Sequence, residues 1–212
     1  MVTPPDSYAA RLDIDYPEKL DRFTTFFRLI WIIPIGIILS LLTATGNETL
    51  AETGEQIERT GLGITGGLAI ATMLMIVFRM RYPRWWFDFV RELTRFGARV
   101  AAYFFLLTDQ YPSTVDEQSV HLEIDYPDVE HDLNRWLPLV KWLLAIPHFI
   151  VLAVLGVIAI VVWVVAWFAI LFTGSYPRAL FDYVVGVGRW ALRVDAYASL
   201  LVTDQYPPFS LK

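Results

Sequence analysis

Two stretches of this chain are almost wholly apolar, Phe23 to Leu42 and Gly61 to Phe78. Each approaches the roughly 20 residues a helix needs to cross the hydrocarbon core of a bilayer. Arg28 sits near the start of the first, where an arginine reaches the headgroups by snorkelling. A third stretch, Trp142 to Thr173, holds no charged residue at all. It is too long for one ordinary span and short for two with a polar loop. Other segments have a different rhythm. Trp85 to Leu107 places Arg91, Arg95 and Arg99 four residues apart, which on a helix makes one stripe beside a face of Trp, Phe, Val and Leu. Leu180 to Val202 repeats this with Arg189 and Arg193. Val120, Leu122, Ile124 and Tyr126 alternate with His121, Glu123 and Asp125, and Leu12, Ile14 and Tyr16 alternate likewise. These are two short strands with one buried face each, and pairing with one another is the simplest arrangement.

Internal similarity orders these pieces. Leu12-Asp-Ile-Asp-Tyr-Pro17 matches Leu122-Glu-Ile-Asp-Tyr-Pro127, and Arg22, Arg28 and Pro34 match Arg135, Lys141 and Pro147. Tyr82-Pro-Arg84 matches Tyr176-Pro-Arg178, and Arg95, Arg99 and Tyr103 match Arg189, Arg193 and Tyr197. Thr108-Asp-Gln-Tyr-Pro112 recurs as Thr203-Asp-Gln-Tyr-Pro207. The chain therefore reads as two copies, 8–112 and 113–212. The polar loop Thr43 to Thr60 of the first has no counterpart in the second. On that alignment the long uncharged run divides into two spans, 136–155 and 157–174, reversing at a turn near Gly156. The expected fold is an all-α integral membrane protein. It has four transmembrane helices, 23–42, 61–78, 136–155 and 157–174, in two parallel repeats. Each hairpin precedes an interfacial amphipathic helix, 85–107 or 180–202, and short cytoplasmic strands complete the fold.

Lysine and arginine distribution sets the sidedness. The Thr43 to Thr60 loop holds Arg59 among Glu48, Glu52, Glu55 and Glu58, whereas Arg79, Arg81, Arg84, Arg91, Arg95 and Arg99 follow the second span. Both termini are expected in the cytoplasm of a bacterial inner membrane. Composition agrees: 56% hydrophobic and 18% charged residues depart from soluble averages in the direction of a bilayer protein. With no cysteine there is no disulfide or thiolate metal site, and a net charge of −5 gives no support for nucleic-acid binding.

Candidate chemistry concentrates beside the spans. Arg91, Arg95, Arg99, Arg189 and Arg193 are the candidate ligands for anionic lipid headgroups, with plain anchoring as the competing reading. Six tyrosines precede proline at element junctions. With Asp88, Asp109, Asp182 and Asp204, the tyrosines Tyr82 and Tyr176 define a possible cytoplasmic-face motif, in which the Thr-Asp-Gln-Tyr-Pro segments fold back against the arginine stripes. The four glutamates suit either a solvated face or a pore mouth. His148 has Ile35 as its counterpart and no evident partner ligand, and Pro34 and Pro147 should kink their helices. No Ser-His-Asp order, metal cluster or carboxylate pair within a span presents itself, so neither a catalytic residue nor a cofactor is expected.

Ile146-Pro-His148, Gly174-Ser-Tyr-Pro-Arg-Ala-Leu-Phe-Asp-Tyr183 and Thr203-Asp-Gln-Tyr-Pro-Pro-Phe209 resemble the motifs of a bacterial multi-pass membrane family classed as a domain of unknown function, family 4389. The resemblance spans nearly the whole chain in two tandem copies. The first departs from it at Ile35, Trp85-Trp86 and Ser113. It implies location and architecture and carries no activity. The expected function is that of a non-enzymatic, oligomeric scaffold or binding module whose partners are membrane lipids, further copies of itself or another protein. The alternative is a channel with its pore at an oligomer axis or between the repeats.

Overall fold

The computed structural model describes residues 8–43, 47–48, 59–60 and 64–212. Glu52, Glu55 and Glu58 of the acidic loop lie outside the described residues. Six helices are present among those described: α1 (Arg22–Thr43), α2 (Ile64–Arg79), α3 (Arg84–Phe104), α4 (Pro138–Leu144), α5 (Ile146–Thr173) and α6 (Arg178–Ala198). The strands β1 (Ala10–Ile14) and β4 (Val120–Ile124) form an antiparallel ribbon, and β2 (Asn47–Glu48) pairs with β3 (Arg59–Thr60). Two helices are long and apolar enough to cross a membrane, Arg22–Ser40 with mean hydropathy 1.9 and Ile146–Thr173 with 3.2.

The expected reversal at Gly156 does not occur. α5 runs unbroken from Ile146 to Thr173 through that glycine. A glycine costs a helix about 1 kcal/mol, and this one stands in an otherwise continuous apolar run with no polar residue to compete for the backbone. Leaving the helix would strand carbonyl and amide groups among apolar neighbours, which costs more. The break falls earlier, where Pro147 lacks an amide hydrogen and separates α4 from α5 at Ala145. Pro34 lies inside α1, which continues through it. The α5 helix ends at Gly174, whose φ of 77° favours a residue without a side chain, whereas Met80 holds the matching position after α2 at φ 49° and bears the strain of a side chain there.

The molecule is layered. On the ribbon, Ala10, Ile14, Val120, Leu122 and Ile124 are buried, while Asp13, His121 and Glu123 face out. The buried side rests on α3 and α6. The other sides of those two helices carry α1 and α4–α5: Ile35 packs on Phe96 and Val100, and Ala145 packs on Trp190 and Val194. Leu12 pairs with Leu122 at the centre of the ribbon, so residues matched in sequence meet across a local two-fold relation.

Candidate functional site

The arginine stripe points largely inward. Arg95 donates to the carbonyl of Leu122 at 3.2 Å, and Arg189 donates to that of Leu12 at 2.8 Å while pairing with Asp13 at 2.7 Å. Each arginine thus holds the strand contributed by the opposite half of the chain. Arg99 donates to Ser113 O at 2.5 Å, and Arg193 donates to Lys212 O at 2.5 Å and to Ser210 O. These two tie down the segments that follow their own helices. Arg91 differs, meeting residues of its own helix: Asp88 (3.3 Å), Glu92 (3.2 Å) and the Phe87 ring (5.6 Å).

The Tyr-Pro tyrosines cross-brace the halves. Tyr16 donates to Tyr176 O, and Tyr126 donates to Tyr82 O at 2.5 Å. Arg178 covers the Tyr16 ring at 4.5 Å and Arg84 covers that of Tyr126 at 4.8 Å, cation–π contacts that shield each brace. Tyr82 and Tyr176 are buried, and burial raises both phenols well above their ordinary range. Asp88 and Asp182 stay near the surface, the latter 3.1 Å from Arg178.

Asp109 and Asp204 do fold back, but onto Arg28 and Lys141 instead of the stripes. Arg28 is fully buried, pairs with Asp109, donates to the carbonyls of Tyr103 (2.9 Å) and Thr108 (2.6 Å), and lies 4.2 Å from the Tyr103 ring centre. Lys141 is equally buried, pairs with Asp204 at 2.7 Å, donates to Thr203 O at 2.7 Å, and lies 5.1 Å from the Tyr197 ring. The second carboxylate oxygens accept from the backbone amides of Asp21 (2.7 Å) and Asn134 (2.5 Å). Each latch therefore joins the start of an apolar helix to the turn after an amphipathic one. Leu106 and Leu201, just before those turns, both take positive φ, 65° and 58°. Arg28 does not snorkel to the headgroups, because carbonyls and a carboxylate within reach satisfy the charge internally.

A third cluster occurs in the second half alone. His148 is fully buried, its Nδ1 accepts from Trp190 Nε1 at 3.1 Å, and its ring stacks on Phe209 at 4.0 Å. That bond requires the neutral imidazole to carry its proton on Nε2. Ile35 and Ser113 are two of the first half's departures from the motif, and they belong together: with no histidine there is no ring on which a Pro-Phe tail could stack. The tail also passes so close to α6 that a Cβ on Gly186 would stand 2.7 Å from Leu211 O. Gly186→Ala is accordingly expected to release residues 209–212, seen as faster carboxypeptidase trimming at unchanged helix content.

Two polar grooves flank the ribbon. One, about 460 Å³, includes Arg95, Arg99, His121 and Glu123, and the other, about 350 Å³, includes Arg11, Arg189, Arg193 and Lys212. Beneath the ribbon an apolar cavity of about 400 Å³ reaches Asp195, whose carboxyl is pushed up by burial and partly restored by a hydrogen bond with Ser199. No group of three or more potential metal ligands converges among the described residues.

The fold and these contacts define a mostly helical protein with two membrane-length apolar helices and a braced polar face. Residues 136–210 match, as one domain, the family described as Domain of unknown function (DUF4389). That match takes in the His148 cluster and the Lys141–Asp204 latch, and it does not extend over the nearly whole-chain, two-copy resemblance expected from the motifs. No curated protein and no solved structure matches the chain.

Proposed function

We propose that this is a non-enzymatic, membrane-embedded scaffold whose polar face binds lipid headgroups or a protein partner. The observation that carries the reading is the segregation of its two surfaces. Only 11% of the α5 segment and 17% of the α1 segment are buried, and Ile150, Val154, Val161, Phe168 and Phe172 stand exposed along one helix. An apolar surface of this extent needs acyl chains or another copy against it. The opposite surface is charged and rigidly braced. The paired latches, braces and arginine–strand contacts support an origin in two tandem copies. The arginines that follow α2 support a cytoplasmic polar face in a bacterial inner membrane.

Four of the five stripe arginines are engaged by the fold, so headgroup binding rests on Arg91 with its exposed neighbours Arg81 and Arg84. In flotation with anionic vesicles, Arg91→Gln is expected to weaken retention about fivefold, the equivalent of roughly 1 kcal/mol for one basic group at a charged leaflet, with no change on zwitterionic vesicles. Equal retention on both would count against the headgroup reading. Carbonate extraction tests embedding itself, and the protein is expected to stay in the membrane pellet.

A further inference from the structure

The two-fold relation and the layering together constrain how the apolar helices meet lipid. β1 and β4 are antiparallel with matched residues facing at Leu12–Leu122, so the two-fold axis runs through the ribbon and not along its strands. β1 lies lengthwise on α6: Tyr8 reaches Arg193, Leu12 reaches Arg189, and Ile14 joins the cluster of Val184 and Val185. β4 lies lengthwise on α3 in the same manner, with Leu122 at Arg95 and Ile124 clustered with Phe87 and Val90.

The next layer down keeps the same direction. Along α6, Tyr183, Trp190 and Val194 meet Leu155, His148 and Ala145 in that order. Along α3, Tyr103 meets Arg28, and Phe96 and Val100 meet Ile35. Helices α1, α3, α5 and α6 thus lie across the axis, with the ribbon above and the apolar helices below, and α2 runs beside α3, its Thr72 accepting from Trp86 Nε1 at 2.8 Å and its Leu68 and Thr65 lining one groove with Val90 and Gly97.

A helix standing upright through a bilayer would bring its lengthwise neighbours with it. If α5 crossed, α6 and the ribbon would stand beside it at the same depth. Arg11, Asp13, His121 and Glu123, on the ribbon's outward face, would then enter hydrocarbon or its edge, where ionised side chains are strongly disfavoured. The 16 residues of α2, roughly 24 Å of helix, are in addition short for a core of about 30 Å. Laid flat, the same molecule meets none of these difficulties. Its charged ribbon faces water, its amphipathic α3 and α6 occupy the headgroup level, and its apolar layer faces the acyl chains.

We propose that the protein is monotopic: α1, α2, α4 and α5 form an in-plane raft sunk into the acyl chains of a single leaflet, and no helix crosses the bilayer. The inference rests on the membrane reading above and specifies its geometry.

The chain has no cysteine, so single cysteines report without background. Arg135→Cys and Thr173→Cys mark exposed positions at the two ends of α4–α5. In sealed membrane vesicles of one sidedness, an impermeant maleimide is expected to label both from the same side and neither from the other. Labelling of the two ends from opposite sides would overturn the proposal. Val154→Cys, Val161→Cys and Phe168→Cys lie seven residues apart on the exposed face of α5. Carrying a fluorophore, they are expected to be quenched equally by lipid brominated at one chain depth. A profile deepest at Val161 would overturn the proposal independently. Release of the unmodified protein by carbonate would remove the membrane reading and this geometry with it, whereas carbonate resistance with opposite-side labelling would remove the geometry alone.

Discussion

Asp204→Ala is expected to lower unfolding stability by about 3 kcal/mol, the lower end of the cost of removing one member of a buried ion pair. The lower end applies because the aspartate is 21% exposed while Lys141 is wholly buried. The ammonium would keep its bond to Thr203 O and lose its counter-charge. Asn134 would lose the acceptor for its amide in the same step. In detergent micelles this corresponds to a midpoint drop of roughly 6–12 °C for a chain of this size. The control that isolates the charge is Lys141→Met with Asp204→Asn. Methionine fills much of the same volume and asparagine can still accept from the Asn134 amide, so the double variant should recover most of the loss. Failure to recover would show that the latch matters through its shape and not through its ion pair. The equivalent change at Asp109 should cost less, because Arg28 keeps two carbonyl acceptors and the face of Tyr103.

The second large effect is expected at the His148 cluster. Trp190→Phe removes the donor to His148 Nδ1, and His148→Ile strands the indole N–H. Each leaves a buried polar group unpaired, at about 1–3 kcal/mol apart from any loss of packing. Made together, the two changes install the combination already present in the first half, where Ile35 packs on Phe96. The double variant should therefore lose at least about 1 kcal/mol less than the sum of the singles. A thermal-unfolding double-mutant cycle measures this directly, and additive losses would mean that the Trp190–His148 bond carries no coupling. The tail is expected to loosen in every variant lacking His148, because Phe209 loses the ring it stacks on.

Much of the scaffold can be read from residue order. The period-two alternation at Leu12 and Leu122 marks the two strands, and the four-residue arginine spacing marks α3 and α6, because both patterns record local geometry directly. Gly156 is different. The sequence match between the halves places a turn there, but similarity of the flanking residues does not require a bend. No polar residue stands beside it to compete with helix propagation, and α5 runs through it. The latches are harder to see. Asp109 lies 81 residues from Arg28, and no periodicity connects a cation in an apolar helix to an acid in a later turn. A signal is present nonetheless: the chain keeps a cation at both 28 and 141, exchanging arginine for lysine, and an aspartate at both 109 and 204. The inward direction of Arg95 and Arg189 leaves no such trace. A helical stripe has the same spacing whether it faces headgroups or the carbonyls of a strand.

The exchange of strands between halves also bears on how the chain is made. β1 is synthesised first, but its partner lies 110 residues further on at Leu122, and Arg189, which holds it from the other side, comes later still. At roughly 5–20 residues per second, the nascent strand waits on the order of ten seconds with both edges open. During that interval its own Arg11, Asp13 and Asp15 are its protection, since charges along an unpaired strand discourage association with another. The charges that face water in the finished ribbon thus first serve the half-made chain at the ribosome.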